Sequence, residues 1–339
     1  HGRLGPRRAT GGPGRHLEGD VMRKVLMATI VVVLTASASV GIAAQPEEDA
    51  ASRAPVPSSG CGISEVTPGF HREPSLDVDG VERQWVLFVP GAHDGTTPMP
   101  LWLQFHGYGG DGASEVSVHK GAADEHGFVL AAPEAELGVA GWAWQEEDLA
   151  ADLSRTNPDV AFTHALLDRN GERLCVDLAR VYAAGYSLVG EGVSVLGCAL
   201  EDRIAAVAPV AGMLDLGDTC VLDRPVPLIA VHGRADDLAL FEGGWGGQLA
   251  WANDPPLRQA SAQGSIPQRV ANVAQRNGCE PEATIETLGE DAERWTWTCP
   301  DDADVELIAH GGGHGWPANE PVATTKRIWE FFEKHPMPE

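Results

Sequence analysis

Short apolar stretches that alternate with helical periodicity constrain this chain more than any other feature. Residues 81–90, 100–105, 128–133, 180–185, 204–210, 227–231 and 305–309 read as strands, most of them apolar without clear alternation. Between them, helices are expected to end near His126, to span 159–170, to run from the turn after Gly185 to about Leu200, and to cover 267–277 from a start near Ser265 or Ile266. Parallel strands need crossover connections, and strands apolar on both sides need cover on both faces. The expected fold class is therefore α/β, with a mostly parallel central sheet and helices on both faces. Function in such sheets collects at the carboxyl ends of the strands.

Three of those ends carry a coherent set of side chains. Gly185-Tyr186-Ser187-Leu188-Val189-Gly190 lies between a strand and a helix, the context in which a serine can stand on a sharp turn beneath a helix N-terminus. The common form of such a turn is G-x-S-x-G; here Val189 holds the fifth position and the glycine comes one residue later. Val231-His232-Gly233-Arg234-Ala235-Asp236 places an acid after a later strand, and His310-Gly311-Gly312-Gly313-His314 places a histidine after the last one. The chemistry explains the residue types: serine becomes nucleophilic when a histidine takes its proton, and an acid fixes the imidazole's tautomer and stabilises its charged form. The order Ser, Asp, His is that of the α/β-hydrolase fold. Ser187, Asp236 and His314 are the expected catalytic residues, and Asp237 is the alternative acid. His310, four residues before His314, suggests a metal pair only on a helix, which the intervening glycines disfavour, so no metal and no cofactor are expected. Backbone N–H groups of Tyr108, in the loop His106-Gly107-Tyr108-Gly109-Gly110, and of Leu188 are the expected oxyanion donors. His106 is read as a support for that loop.

With these residues in view, the chain resembles the secreted polyhydroxybutyrate-depolymerase and feruloyl-esterase-like family of α/β hydrolases. The resemblance runs from about Cys61 to Phe332 and rests on Leu103-Gln104-Phe105-His106-Gly107, the stretch from Arg203 to Gly212, His232-Gly233-x-x-Asp236, and Gly311-Gly312-Gly313-His314-x-Trp316-Pro317. The family's elbow usually reads S-N-G-G, where this chain has Ser187-Leu188-Val189-Gly190. The resemblance implies hydrolysis of carboxylic esters through an acyl-enzyme, on aliphatic polyesters or on hydroxycinnamoyl and acetyl esters of plant cell walls; the oxyanion-loop Tyr108 also resembles that of cutinase-like hydrolases, which makes aromatic polyesters such as PET a secondary expectation. Tyr108, Trp142, Trp144 and Trp316 are the aromatic candidates for a substrate cleft, each of them also a candidate for plain packing. A serine peptidase and an inactive binding homologue are the competing readings.

The ends and the composition bound the rest. Residues 1–21 read as upstream, non-native sequence, and 22–44, with Arg23-Lys24, a short apolar run and small residues, as a secretory signal; a membrane anchor is the alternative. Residues 45–60, rich in Pro, Ser and acids, read as a disordered linker, leaving 61–339 as one catalytic domain. A net charge of −25 opposes binding to nucleic acid or anionic membrane, so the expected partner is an ester or polyester substrate, met by a secreted monomer. Six cysteines in an exported chain point to disulfides, with fifteen possible pairings. The inferred topology favours Cys175–Cys198 and Cys279–Cys299, which leaves Cys61–Cys220.

Overall fold

The computed structural model describes residues 53–63, 66–135, 152–154, 156–246 and 264–338, all within the unit Glu47–Glu339. Twelve strands are present among them: β1 (Gly69–Arg72), β2 (Leu76–Val78), β3 (Val81–Arg83), β4 (Trp85–Val89), β5 (Met99–Phe105), β6 (Val129–Pro133), β7 (Val176–Tyr186), β8 (Ala206–Val210), β9 (Leu228–Gly233), β10 (Ala283–Thr287), β11 (Ala292–Trp297) and β12 (Val305–His310). The helices are α1 (Gly112–His126), α2 (Pro158–Arg173), α3 (Leu188–Ala199), α4 (Ile266–Arg276) and α5 (Thr324–Phe332). Ten strands form one sheet in the order β1-β4-β6-β5-β7-β8-β9-β12-β11-β10. From β6 through β12 neighbours run parallel, and antiparallel strands close both margins.

Alternation along the strands sends side chains to two separate cores. Leu101, Leu103 and Phe105 pack with Val160, Phe162 and Leu166 of α2, Val193 and Leu196 of α3, and Val270 and Val273 of α4. Trp102, Tyr182 and Ile308 point the other way, to Val116 and Ala123 of α1 and to Ile328, Trp329 and Phe332 of α5. Both faces are covered, which is why the central strands read as continuously apolar. Local signals start the helices as the sequence suggests: Asp111 caps α1 by accepting from Ser114 N–H, Asn157 caps α2, and Ser265 caps α4.

The order reverses at β5. The chain steps outward from β5 to β6 and then crosses to β7 on the other side of β5. At such a switch point the loops leaving adjacent strands diverge and open a crevice. The loop 106–110 leaves β5 there, and Ser187 leaves β7.

Several expectations need correcting. The stretch 81–90 is two strands: β3 turns back on β2, and after Gln84 the chain enters the main sheet as β4. The segment 53–60, expected to be the end of a disordered linker, is tied along the start of β7. Val56 O accepts from Leu178 N–H at 2.8 Å, Ser58 N–H donates to Val176 O at 2.9 Å, and Ser58 Oγ donates to Leu174 O at 2.7 Å. That docking carries Cys61 to Cys175, so the disulfides are Cys61–Cys175 and Cys198–Cys220, in place of Cys175–Cys198 and Cys61–Cys220. Cys198, near the end of α3, is taken by the turn at 217–220 instead. Cys279–Cys299 pairs as expected and lies at the base of the β10–β11 hairpin. Among the described residues no helix is long and apolar enough to cross a membrane.

Candidate active site

Ser187 stands between β7 and α3 with φ 63° and ψ −131°, a left-handed conformation that costs a non-glycine residue about 1–3 kcal/mol. The surroundings enforce it. Ser187 N–H donates to Val210 O and Ser187 O accepts from Gly190 N–H, both at 2.8 Å. A Cβ on Gly212 would lie 2.0 Å from Ser187 O, and one on Gly190 would lie 2.3 Å from Gly212 O. The displaced glycine of the elbow therefore lets the first turn of α3 meet the chain leaving β8. Val189, in the usual glycine position, is fully buried in the core beneath α3.

A serine at a helix N-cap ordinarily turns its hydroxyl onto its own helix. Ser187 makes no such bond. Its Oγ lies 2.8 Å from His314 Nε2, and His314 Nδ1 lies 2.8 Å from Asp236 Oδ2. A carboxylate only accepts, so the His314 proton resides on Nδ1 and Nε2 accepts from the Ser187 hydroxyl. Asp236 Oδ1 accepts from Leu238 N–H at 2.9 Å and Ala239 N–H at 2.8 Å. Burial pushes the Asp236 pKa up, but the hydrogen bond and charge of His314 with the Leu238 N–H outweigh it and hold the carboxyl below its ordinary range. Asp237 is exposed, so the geometry selects Asp236.

His232 supports the acid from behind. It is buried, its Nε2–H donates to Ala239 O at 2.8 Å, and Nε2 lies 3.4 Å from Asp236 Oδ2. Burial pushes its pKa down to about 4, so the ring is neutral beside the ionised acid. His310 is also tied to its own loop, with Nδ1 accepting from Gly312 N–H at 3.1 Å. Among the described residues no three His, Cys, Asp or Glu side chains converge as a metal set.

The loop after β5 closes the other side. A Cβ on Gly107 would lie 3.2 Å from Ser187 Cβ, so this backbone is against the serine. Gly107 O accepts from Gly110 N–H at 3.0 Å and from His106 Nδ1–H at 2.8 Å, while His106 Nε2 accepts from Ala135 N–H at 3.2 Å. His106 thus braces the loop. Carbonyl and N–H of a trans peptide point oppositely, so the Tyr108 N–H faces away from His106 and Gly110. Leu188 N–H opens α3 in the first turn, where N–H groups have no intrahelical acceptor.

The aromatic candidates separate. Tyr108 is 57% exposed on its loop. Trp316 is anchored inward: its Nε1–H donates to Thr325 Oγ1 at 2.9 Å and its ring meets His119 edge-on at 4.8 Å. It packs against the α1/α5 core, which fits a support better than a cleft wall. Trp142 and Trp144 lie outside the described residues. Sequence reasoning missed Tyr186, whose ring lies 5.2 Å from that of His314 and whose Cδ1 is 3.1 Å from where a Gly107 Cβ would stand. Burial, then the charges of Asp236 and Glu115, pushes its phenol pKa up. Nothing in its residue type singled it out beyond its place before the serine.

A parallel α/β sheet with a serine elbow, a strand-end acid and a strand-end histidine defines the α/β-hydrolase class. No family model matches the chain. It is 31% identical to a protein named putative esterase NocK, of Nocardia uniformis subsp. tsuyamanensis, over 312 residues, covering 85% of this chain and 88% of that protein. It is 28% identical over 265 residues to feruloyl esterase B of Piromyces equi, covering 76% of this chain and 46% of the relative, so it spans about half of that protein's length. Among solved structures, acetyl xylan esterase from Aspergillus awamori superposes with a TM-score of 0.55 at 12% identity, covering 78% of this chain and 99% of that one, a likeness of fold. The chain belongs to the esterase family of α/β hydrolases that includes NocK, and it is a carboxylic-ester hydrolase.

Proposed function

We propose that the chain is a secreted serine esterase that cleaves hydroxycinnamoyl and acetyl esters through an acyl-enzyme. The observation that carries the mechanism is the line Ser187 Oγ–His314 Nε2 and His314 Nδ1–Asp236 Oδ2, 2.8 Å at each link, on a serine that does not cap its helix. Ser187 Oγ attacks the ester carbonyl as His314 Nε2 takes its proton, and Asp236 stabilises the imidazolium. Leu188 N–H and Tyr108 N–H receive the oxyanion. Collapse breaks the carbonyl–alkoxy bond, with the His314 proton passing to the departing alcohol. Water, deprotonated by His314, then attacks the acyl-enzyme, releasing the acid and restoring Ser187.

The substrate assignment rests on relatives named feruloyl esterase. Polyesters are a second reading, favoured by Tyr108, an exposed aromatic on the loop that follows β5 and suits a polymer surface. Export is supported by the basic-then-apolar segment after Met22 and by three disulfides. The test is a substrate panel of methyl ferulate, p-nitrophenyl acetate, amorphous polyhydroxybutyrate and an aromatic polyester film, with a fluorophosphonate probe to report Ser187. Labelling of Ser187, its loss in Ser187→Ala, and turnover of methyl ferulate are expected. A folded protein that leaves Ser187 unlabelled would refute the mechanism, and turnover of polyester alone would refute the substrate.

A further inference from the structure

His314 sits in a glycine-rich loop. Glycines stand at 311, 312, 313 and 315, so the residues around the histidine have wide conformational freedom. The upstream side is held by backbone bonds, Gly311 N–H to Asp291 O at 2.8 Å and Ala235 N–H to Gly312 O at 3.1 Å. The first side chain downstream is Trp316, and it leads into a line of polar groups inside an otherwise apolar core. Trp316 Nε1–H donates to Thr325 Oγ1 at 2.9 Å, and Thr325 Oγ1 lies 3.2 Å from His119 Nδ1. Thr325 Oγ1 thus links the Trp316 indole to the His119 ring through one hydroxyl. His119 Nε2 lies 3.5 Å from Glu115 Oε2 without making a hydrogen bond to it, and that oxygen accepts from Gln104 Nε2 at 3.0 Å. Gln104 Oε1 accepts in turn from Trp102 Nε1 at 3.0 Å.

Trp102, Gln104 and His119 are at most 1% exposed. Apolar side chains of similar volume would fill this space without the desolvation cost of buried polar groups, whereas a directional network fixes one arrangement. Two of its members are close in sequence to the two halves of the site. Glu115 is in the first turn of α1, directly after the loop that carries Tyr108, and Trp316 is two residues beyond His314.

We propose that Trp316, Thr325 and His119 are positioning residues that set the His314 imidazole against Ser187 and hold it in register with the Tyr108 loop. The proposal rests on Ser187 and His314 doing the chemistry. Misplacing a catalytic group by about 1 Å can cost roughly 100-fold in rate.

The test uses the full chain with Thr325→Val, Trp316→Phe and Thr325→Ser, assayed on p-nitrophenyl acetate, with the His314 Nδ1 proton followed by NMR. Thr325→Val and Trp316→Phe should each lower kcat by roughly 10- to 100-fold with KM changed less than about twofold. The double variant should be no worse than the poorer single one, because both break the same line. Thr325→Ser, which keeps the hydroxyl, should restore kcat. The deshielded His314 Nδ1 proton should weaken in Thr325→Val and Trp316→Phe and return in Thr325→Ser. Should Thr325→Val fail to fold, Trp316→Phe, which keeps the ring packing, decides the matter. Wild-type kcat in a folded Trp316→Phe, additive losses in the double variant, or an unchanged Nδ1 proton would overturn the proposal. A wild-type protein with no ester turnover sinks the catalytic reading instead, and the NMR comparison still judges the positioning.

Discussion

The hydroxyl of Ser187 leaves the first turn of α3 uncapped and faces His314, and the acid behind that histidine is chosen by burial as much as by distance. Asp236 and Asp237 are chemically identical neighbours, but only Asp236 is buried and bonded to His314. Asp236→Asn is expected to lower kcat by about 10⁴-fold, because an amide can favour the wrong imidazole tautomer. Asp237→Asn is expected to stay within about threefold of wild type on p-nitrophenyl acetate, as a surface change away from the proton path. The reverse ranking would reassign the acid. His232 supplies a second prediction. Its pKa falls from the ordinary 6.5 to about 4, so the unfolded chain takes up a proton that the folded one refuses. Stability is therefore full above pH 6.5 and declines as pH falls from 6.5 towards 4; His310, also pushed down by burial, adds to the loss. Urea midpoints measured across that window should drop, and less steeply in His232→Gln. That Ser187, Asp236 and His314 belong together was legible in the sequence because each follows a recognisable strand. Tyr186 and His232 were not, since their roles come from contacts that only the fold creates, with His314 for one and with the Ala239 carbonyl after a turn for the other.

At the scale of elements, the departure from G-x-S-x-G reads differently once α3 and the end of β8 are in place. Val189 fills core space under α3, and Gly190 takes the close approach of Gly212. Val189→Gly, which restores the common pattern, is expected to cost about 2–4 kcal/mol of stability and to leave kcat no higher. Gly190→Ala should lower both Tm and kcat, because its methyl would meet Gly212 O at 2.3 Å and push Ser187 out of line. Calorimetry and p-nitrophenyl acetate turnover check both, and a faster Val189→Gly enzyme would show the valine to be a brake. The same contrast explains which elements the sequence revealed. Central strands announce themselves by runs buried on both faces, as in β6 and β8. The marginal strands β1 and β10 are half-exposed and carry polar residues, so their pairing partners, not their own pattern, define them. The break at Gln84 was hidden because β3 and β4 are joined by one residue with no turn signal between them.

For the whole molecule, the N-terminal segment is where the sequence misled most, since Pro, Ser and Ala look the same in a free linker and in a strap bound to a sheet. Residues 53–60 bind by backbone, which composition does not report. The consequence is a disulfide, Cys61–Cys175, that closes 114 residues, against 20 for Cys279–Cys299. Restricting the unfolded chain scales with the logarithm of loop length, giving about 4.8 kcal/mol for the first and about 3.3 kcal/mol for the second. The short bridge only closes a hairpin whose strands already pair, whereas the long one joins the strap to β7, at the centre of the sheet and on the strand that delivers Ser187. Replacing Cys61 and Cys175 together by alanine is therefore expected to lower the urea midpoint more than replacing Cys279 and Cys299. It should also expose the amide protons of Val56, Ser58 and Gly60 to exchange while those of β12 stay protected. An equal or reversed order of midpoints, with Val56, Ser58 and Gly60 still protected, would mean that the backbone bonds hold the strap without the bridge.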